Sequence, residues 1–183
     1  MRSLGTTRLD AGVAAVAAAV GAGAAIADDR SSAGVAVMIG FFAVLGAASV
    51  VDARERRIPK VYTSAGTALA LVAAAFGGVD AVASALGGIA VGGGVMGLFY
   101  VVGLLMFGRG ALGLGDVWLS VFAGSVIGPT GAVTFLLLGT TFGSLGVLVL
   151  LARGYDRHST SEYGPYLAAG AAVTAVSIGT VVG

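Results

Sequence analysis

Polar positions are sparse along this chain, and they separate long apolar runs instead of alternating with apolar positions. Reading the runs between charges gives seven candidate spans: Ala11 to Ala27, Gly34 to Val51, Val61 to Val79, Ala81 to Phe107, Val117 to Gly128, Gly131 to Ala152, and Tyr166 to Val182. Most are roughly 17 to 27 residues long, enough for a helix to cross a hydrocarbon core of about 30 Å. Strict period-two alternation, the mark of an outer-membrane barrel strand, is missing. The pattern therefore predicts an all-α, polytopic membrane bundle of about six to seven transmembrane helices, built as one integral-membrane domain over residues 1–183. The stretch 1–33 carries the first span, for which a second reading exists. Two arginines, an Ala-rich run and Ala25-Ile26-Ala27 before Asp28 also resemble a secretory signal with its cleavage site.

Composition sharpens this reading. The chain is 57% hydrophobic and 10% charged, with a mean hydropathy of +1.00, far more apolar than a water-soluble domain. Cysteine is absent and His158 is the single histidine, so disulfides, thiol nucleophiles and Cys- or His-rich metal sites are excluded. Neither a metal nor a cofactor is expected. A net charge of +1 with dispersed basic residues gives no footprint for nucleic acid.

The placement of the basic residues says more than their sum. With seven spans, Arg2, Arg8, Arg54, Arg56, Arg57, Lys60, Arg109, Arg153 and Arg157 share one side, and Arg30 stands alone on the other. The positive-inside rule makes the crowded side cytoplasmic and places the N-terminus there. The expected location is the inner (plasma) membrane.

Glycine occupies 32 positions. In the run Gly87 to Gly97, the spacings Gly88 with Gly92 and Gly93 with Gly97 put small residues one turn apart, which lets helix backbones approach closely in lipid. Pro59, Pro129 and Pro165 fall at span ends, where a missing N–H costs least.

Most acidic residues, among them Asp10, Asp28, Asp29, Asp80 and Asp156, read as solvated groups in termini or loops. Asp52 and Asp116 differ. Asp52 closes the second span and Asp116 opens the fifth, so the two fall on the same expected cytoplasmic face. From Asp116 to Gly128 a helix rises only about 20 Å, short of the core thickness. Either the Gly-rich loop before Asp116 dips into the membrane and leaves the carboxylate in a wet recess, or the bilayer thins locally. Two carboxylates at one recess can share a proton, one activating water and the other hydrogen-bonding the carbonyl under attack, which is aspartic-protease chemistry. Capping or anchoring a helix is the plainer role for each.

Three local patterns carry a family resemblance. Asp52-Ala-Arg-Glu-Arg-Arg-Ile-Pro59-Lys60 resembles the aspartate, basic stretch and Ile-Pro-Asn of the type IV prepilin peptidases. Gly113-Leu-Gly115-Asp116 is similar to their GxGD motif, and Gly164-Pro165-Tyr166 looks like the Gly-Pro-aromatic that opens their last helix. All three occur in family order, over residues 34–183. The resemblance implies a membrane aspartic endopeptidase that removes the basic leader of pilin-like or pseudopilin precursors at the cytoplasmic face. Its catalytic pair carries over to Asp52 and Asp116, with Gly113 and Gly115 shaping the turn that presents Asp116. The departures are Lys60, where many members have Asn, and Trp118, where many have Lys. Both leave the aspartates intact and bear on substrate positioning. Trp118 also reads as an interfacial belt residue. Without the paired CxxC insertion of larger members, the chain resembles the short, peptidase-only form, with a role in pilus biogenesis or protein secretion.

The rival function is a small transporter or channel that uses Asp52 and Asp116 as ion or proton sites. An inactive relative acting as an assembly factor is a third reading. A serine protease built on His158 has little support, because that residue lies in the polar loop between the last two spans.

Overall fold

The computed structural model of the chain describes residues 32–55, 60–108, 112–152 and 164–181. Their backbone forms five helices: α1 (Ser32–Glu55), α2 (Lys60–Phe76), α3 (Val79–Phe107), α4 (Leu114–Ala152) and α5 (Gly164–Ile178). No strand occurs among the described residues. The expected first span, Ala11 to Ala27, and Pro59 lie outside them. Continuous apolar sequence with no water to satisfy backbone N–H and C=O groups leaves the helix as the available conformation.

Three of the helices, α1, α3 and α4, are long and apolar enough to cross a membrane. The expected count of six to seven is not reached by that measure. Of the expected spans, Ala11 to Ala27 lies outside the described residues, and the fifth and sixth are joined in α4. Helices α2, with 17 residues, and α5, with 15, are shorter than the spans read from the sequence.

Helix α4 is two arms. Gly128 at φ 73°, ψ −178° interrupts it, and Pro129 follows. A left-handed φ suits glycine, and proline removes a helical donor, so the pair breaks the rod. The break reverses the chain. A Cβ placed on Gly92 of α3 would lie 2.5 Å from the carbonyl oxygen of Ser120 and 3.7 Å from the ring of Phe135. In a straight helix those residues would stand about 22 Å apart. Residues 129–152 therefore fold back along residues 114–127. The sequence reading of two spans divided near Gly128 matches this, although the first arm begins at Leu114 and not at Val117.

Helix α3 packs more extensively against α4 than any other pair in the fold, antiparallel to its first arm. Gly88 faces the backbone of Gly124, and Gly92 that of Ser120. A side chain on Gly88 would overlap the Gly124 carbonyl, so this spacing sets the interhelical approach. The second sequence pair fares differently. Gly93 meets only the Val121 side chain, and Gly97 has nothing within 4 Å.

The core is aromatic and small. Met38, Phe41, Phe42 and Leu45 of α1 pack with Met96 of α3, Leu119, Phe122, Val126 and Phe135 of α4, and Leu167 of α5. The rings of Phe41 and Phe122 lie 5.4 Å apart, centroid to centroid. A satellite cluster of Ala74, Ala81 and Ala85 closes the end near Gly128, where Val181 N–H donates to the Val126 carbonyl at 2.8 Å. Leu69, Phe76, Leu98, Leu105 and Phe107 point outward. In water that exposure would be costly, whereas in lipid large apolar side chains belong outside and packing holds the bundle. The chain is a membrane protein.

Candidate active site

Asp116 is the third residue of α4 and is 7% exposed, the only buried charged side chain among the described residues. Its N–H donates to the Gly113 carbonyl at 3.1 Å. The carboxylate folds back over the start of the helix, so that a Cβ on Gly113 would sit 3.1 Å from Oδ2. An anionic group in the first turn complements the helix dipole.

The expectation for Gly113 and Gly115 is that they shape the turn presenting Asp116. Neither takes a positive φ, and Gly115 is helical. What Gly113 provides is room beside the carboxylate.

The register fixes the depth of Asp116. Since Gly88 faces Gly124 and Gly92 faces Ser120, Met96 falls opposite Asp116. Met96 is 1% exposed, and α3 continues for 11 residues beyond it to Phe107, a further rise of about 16 Å. The first arm, residues 114–127, rises only about 21 Å beside an α3 of about 43 Å. The short arm therefore starts below the end of α3.

The other motif residues gather at this end. Gly66 of α2 packs on the Phe122 ring, and Ala74 lies in the cluster near Gly128, so α2 runs parallel to the first arm. Lys60 precedes Gly66 by six residues, just as Asp116 precedes Phe122, which sets both at one level. Asp52 lies in the last turn of α1. From Glu55 to Lys60 the chain reaches at most about 18 Å. If α1 ran from Phe41 toward the Gly128 end, Glu55 would stand about 30 Å from Lys60. It therefore runs the other way, and the backbone of Asp52 lies at the Asp116 end, about 7 Å nearer the surface of the bundle.

The last motif joins them. A Cβ on Gly139 would lie 3.0 Å from the Cα of Leu167, and one on Gly131 3.6 Å from the side chain of Thr174, which runs α5 antiparallel to the second arm. Its start, with Gly164 buried and Pro165 in the first turn, therefore sits at the Asp116 end. Proline is suited there because the N–H it lacks would be free in any case. Trp118 is 36% exposed and lies on the outside of the first arm. Asp80, read from the sequence as a loop residue, stands in the first turn of α3.

Sequence reading passed over Ser120. It lies one turn after Asp116, fully buried, and its hydroxyl has no hydrogen-bond partner among the described residues. The signal was available, because Asp116 and Ser120 are four residues apart and so share a helical face.

The model of the type IV leader peptidase family matches residues 39–149, more than half of the chain. That segment holds Asp52 and Asp116. No curated protein and no solved structure matches the chain.

Proposed function

This chain belongs to the type IV leader peptidase family, and from that premise we propose that it is an aspartic endopeptidase cutting the basic leader from pilin-like or pseudopilin precursors. The observation that carries this reading is the gathering of Asp116, the last turn of α1 with Asp52, and the Gly164-Pro165 helix start at one end of the bundle. Carboxylates spread through the membrane depth would favour transport, and grouping at one end favours hydrolysis of a chain arriving from that side. We assign that end to the cytoplasm, because Arg54, Arg56, Arg57, Lys60 and Arg109 flank it in sequence. The protein then resides in the inner membrane with its N-terminus cytoplasmic, in the short, peptidase-only form, serving pilus assembly or secretion.

The proposed reaction uses the two carboxylates with one proton between them. The ionised member removes a proton from water, and the resulting hydroxide attacks the scissile carbonyl carbon. The protonated member donates to the carbonyl oxygen and stabilises the tetrahedral intermediate. Collapse breaks the C–N bond, and the proton taken from water passes to the leaving amine. A position about 16 Å below the end of α3 limits bulk water and strengthens these interactions. The burial of Asp116 and the room beside it at Gly113 support this use. Co-expression with a pilin-like precursor tests it, because leader removal by the wild type is expected and its absence removes the reading.

A further inference from the structure

The described residues bury five polar or charged side chains: Thr63, Asp116, Ser120, Ser125 and Thr174. Three hydroxyls are satisfied within their own helices. Thr63 donates to the Lys60 carbonyl at 3.1 Å, Ser125 to Phe122 at 2.7 Å and Thr174 to Gly170 at 2.8 Å. Ser120 does not follow them: its Oγ is buried and makes no such bond. A hydroxyl left so costs about 1–3 kcal/mol, and the usual remedy in a helix, donation to a carbonyl one turn back, goes unused. Buried orphans of this kind call for a reason.

Geometry gives one. Helical side chains lean toward the N-terminus, so Ser120 leans toward the turn that carries Asp116. Side chains four residues apart stand about 5–6 Å apart at Cβ. The Asp116 carboxylate, however, is drawn the other way, over Gly113. One water molecule bridges polar groups about two hydrogen bonds of 2.8 Å apart, a span that fits this spacing. Across the helix interface, Gly92 packs on the Ser120 backbone, where a Cβ would stand 2.5 Å from the carbonyl oxygen, so no side chain of α3 reaches the hydroxyl from that position.

We infer that Ser120 is a positioning residue for Asp116, its hydroxyl donating through one bound water to the carboxylate. The inference rests on the peptidase reading for its kinetic meaning and on the structure alone for the contact. Held in this way, the carboxylate keeps one orientation toward the reacting carbonyl without Ser120 touching substrate.

The test compares wild type, Ser120→Ala, Asp116→Asn and the double variant, each as full chain in lipid nanodiscs. With a cleavable precursor, Ser120→Ala should lower kcat about tenfold with KM unchanged, the worth of one hydrogen bond to a charged group. In the Asp116→Asn background the same change should have no further effect. Independently of activity, the infrared carboxyl band that vanishes in Asp116→Asn should shift in Ser120→Ala. An unshifted band, or a kcat equal to wild type, overturns the inference. A wild type that cleaves nothing refutes the peptidase reading instead, and the band then decides the contact.

Discussion

The carboxylate of Asp116 lies against Gly113, close enough that a Cβ there would stand 3.1 Å from Oδ2. That distance is tighter than ordinary contact, so any side chain must displace the carboxylate or the helix start. Gly113→Ala should therefore lower leader cleavage several-fold and Gly113→Val further, with abundance unchanged. Comparison of initial cleavage rates in membranes checks it, and a Gly113→Val variant as fast as wild type would show that the carboxylate has slack.

Helix α3 meets the first arm of α4 backbone to backbone at Gly88 and Gly124. Gly88→Leu should destabilise the bundle by about 1–3 kcal/mol or more, because the added atoms meet a carbonyl that cannot move aside. Gly40 on α1 is the control, with nothing within 4 Å of its prospective Cβ. Thermal unfolding in detergent should show a lowered midpoint for Gly88→Leu and none for Gly40→Ala.

The register sets Lys60 and Gly113 at one end of the bundle and Gly78, between α2 and α3, at the other. Single cysteines at Lys60 and Gly113 should react with an impermeant thiol reagent from the cytoplasmic side, and one at Gly78 from the opposite side. Labelling of Lys60 and Gly113 from different sides would contradict the shared end.

Much of this was legible in the sequence, for identifiable reasons. Apolar runs had to become helices, and Gly128-Pro129 had to break one, because both follow from the backbone alone. The acidic residue of Gly113-Leu-Gly115-Asp116 was conspicuous because charge is rare in this chain. The helix start was misplaced by three residues, because Leu114 and Gly115 are helical in spite of glycine's low propensity. Which glycines would be contacts could not be read from spacing, since Gly88 and Gly92 face a helix and Gly97 does not. The same holds for Ser120, whose residue type is ordinary and whose isolation depends on its neighbours.

The central claim is that Asp52 and Asp116 together cut the leader, and the most direct measurement is leader removal from a co-expressed precursor by wild type, Asp52→Asn and Asp116→Asn. Asparagine keeps the size and some hydrogen bonding of aspartate but can neither take a proton from water nor share one. The wild type should process the precursor, and each variant, present in the membrane at normal levels, should process it roughly 10²- to 10⁴-fold more slowly. Near-normal cleavage by either variant would contradict the pairing and remove that aspartate from the chemistry.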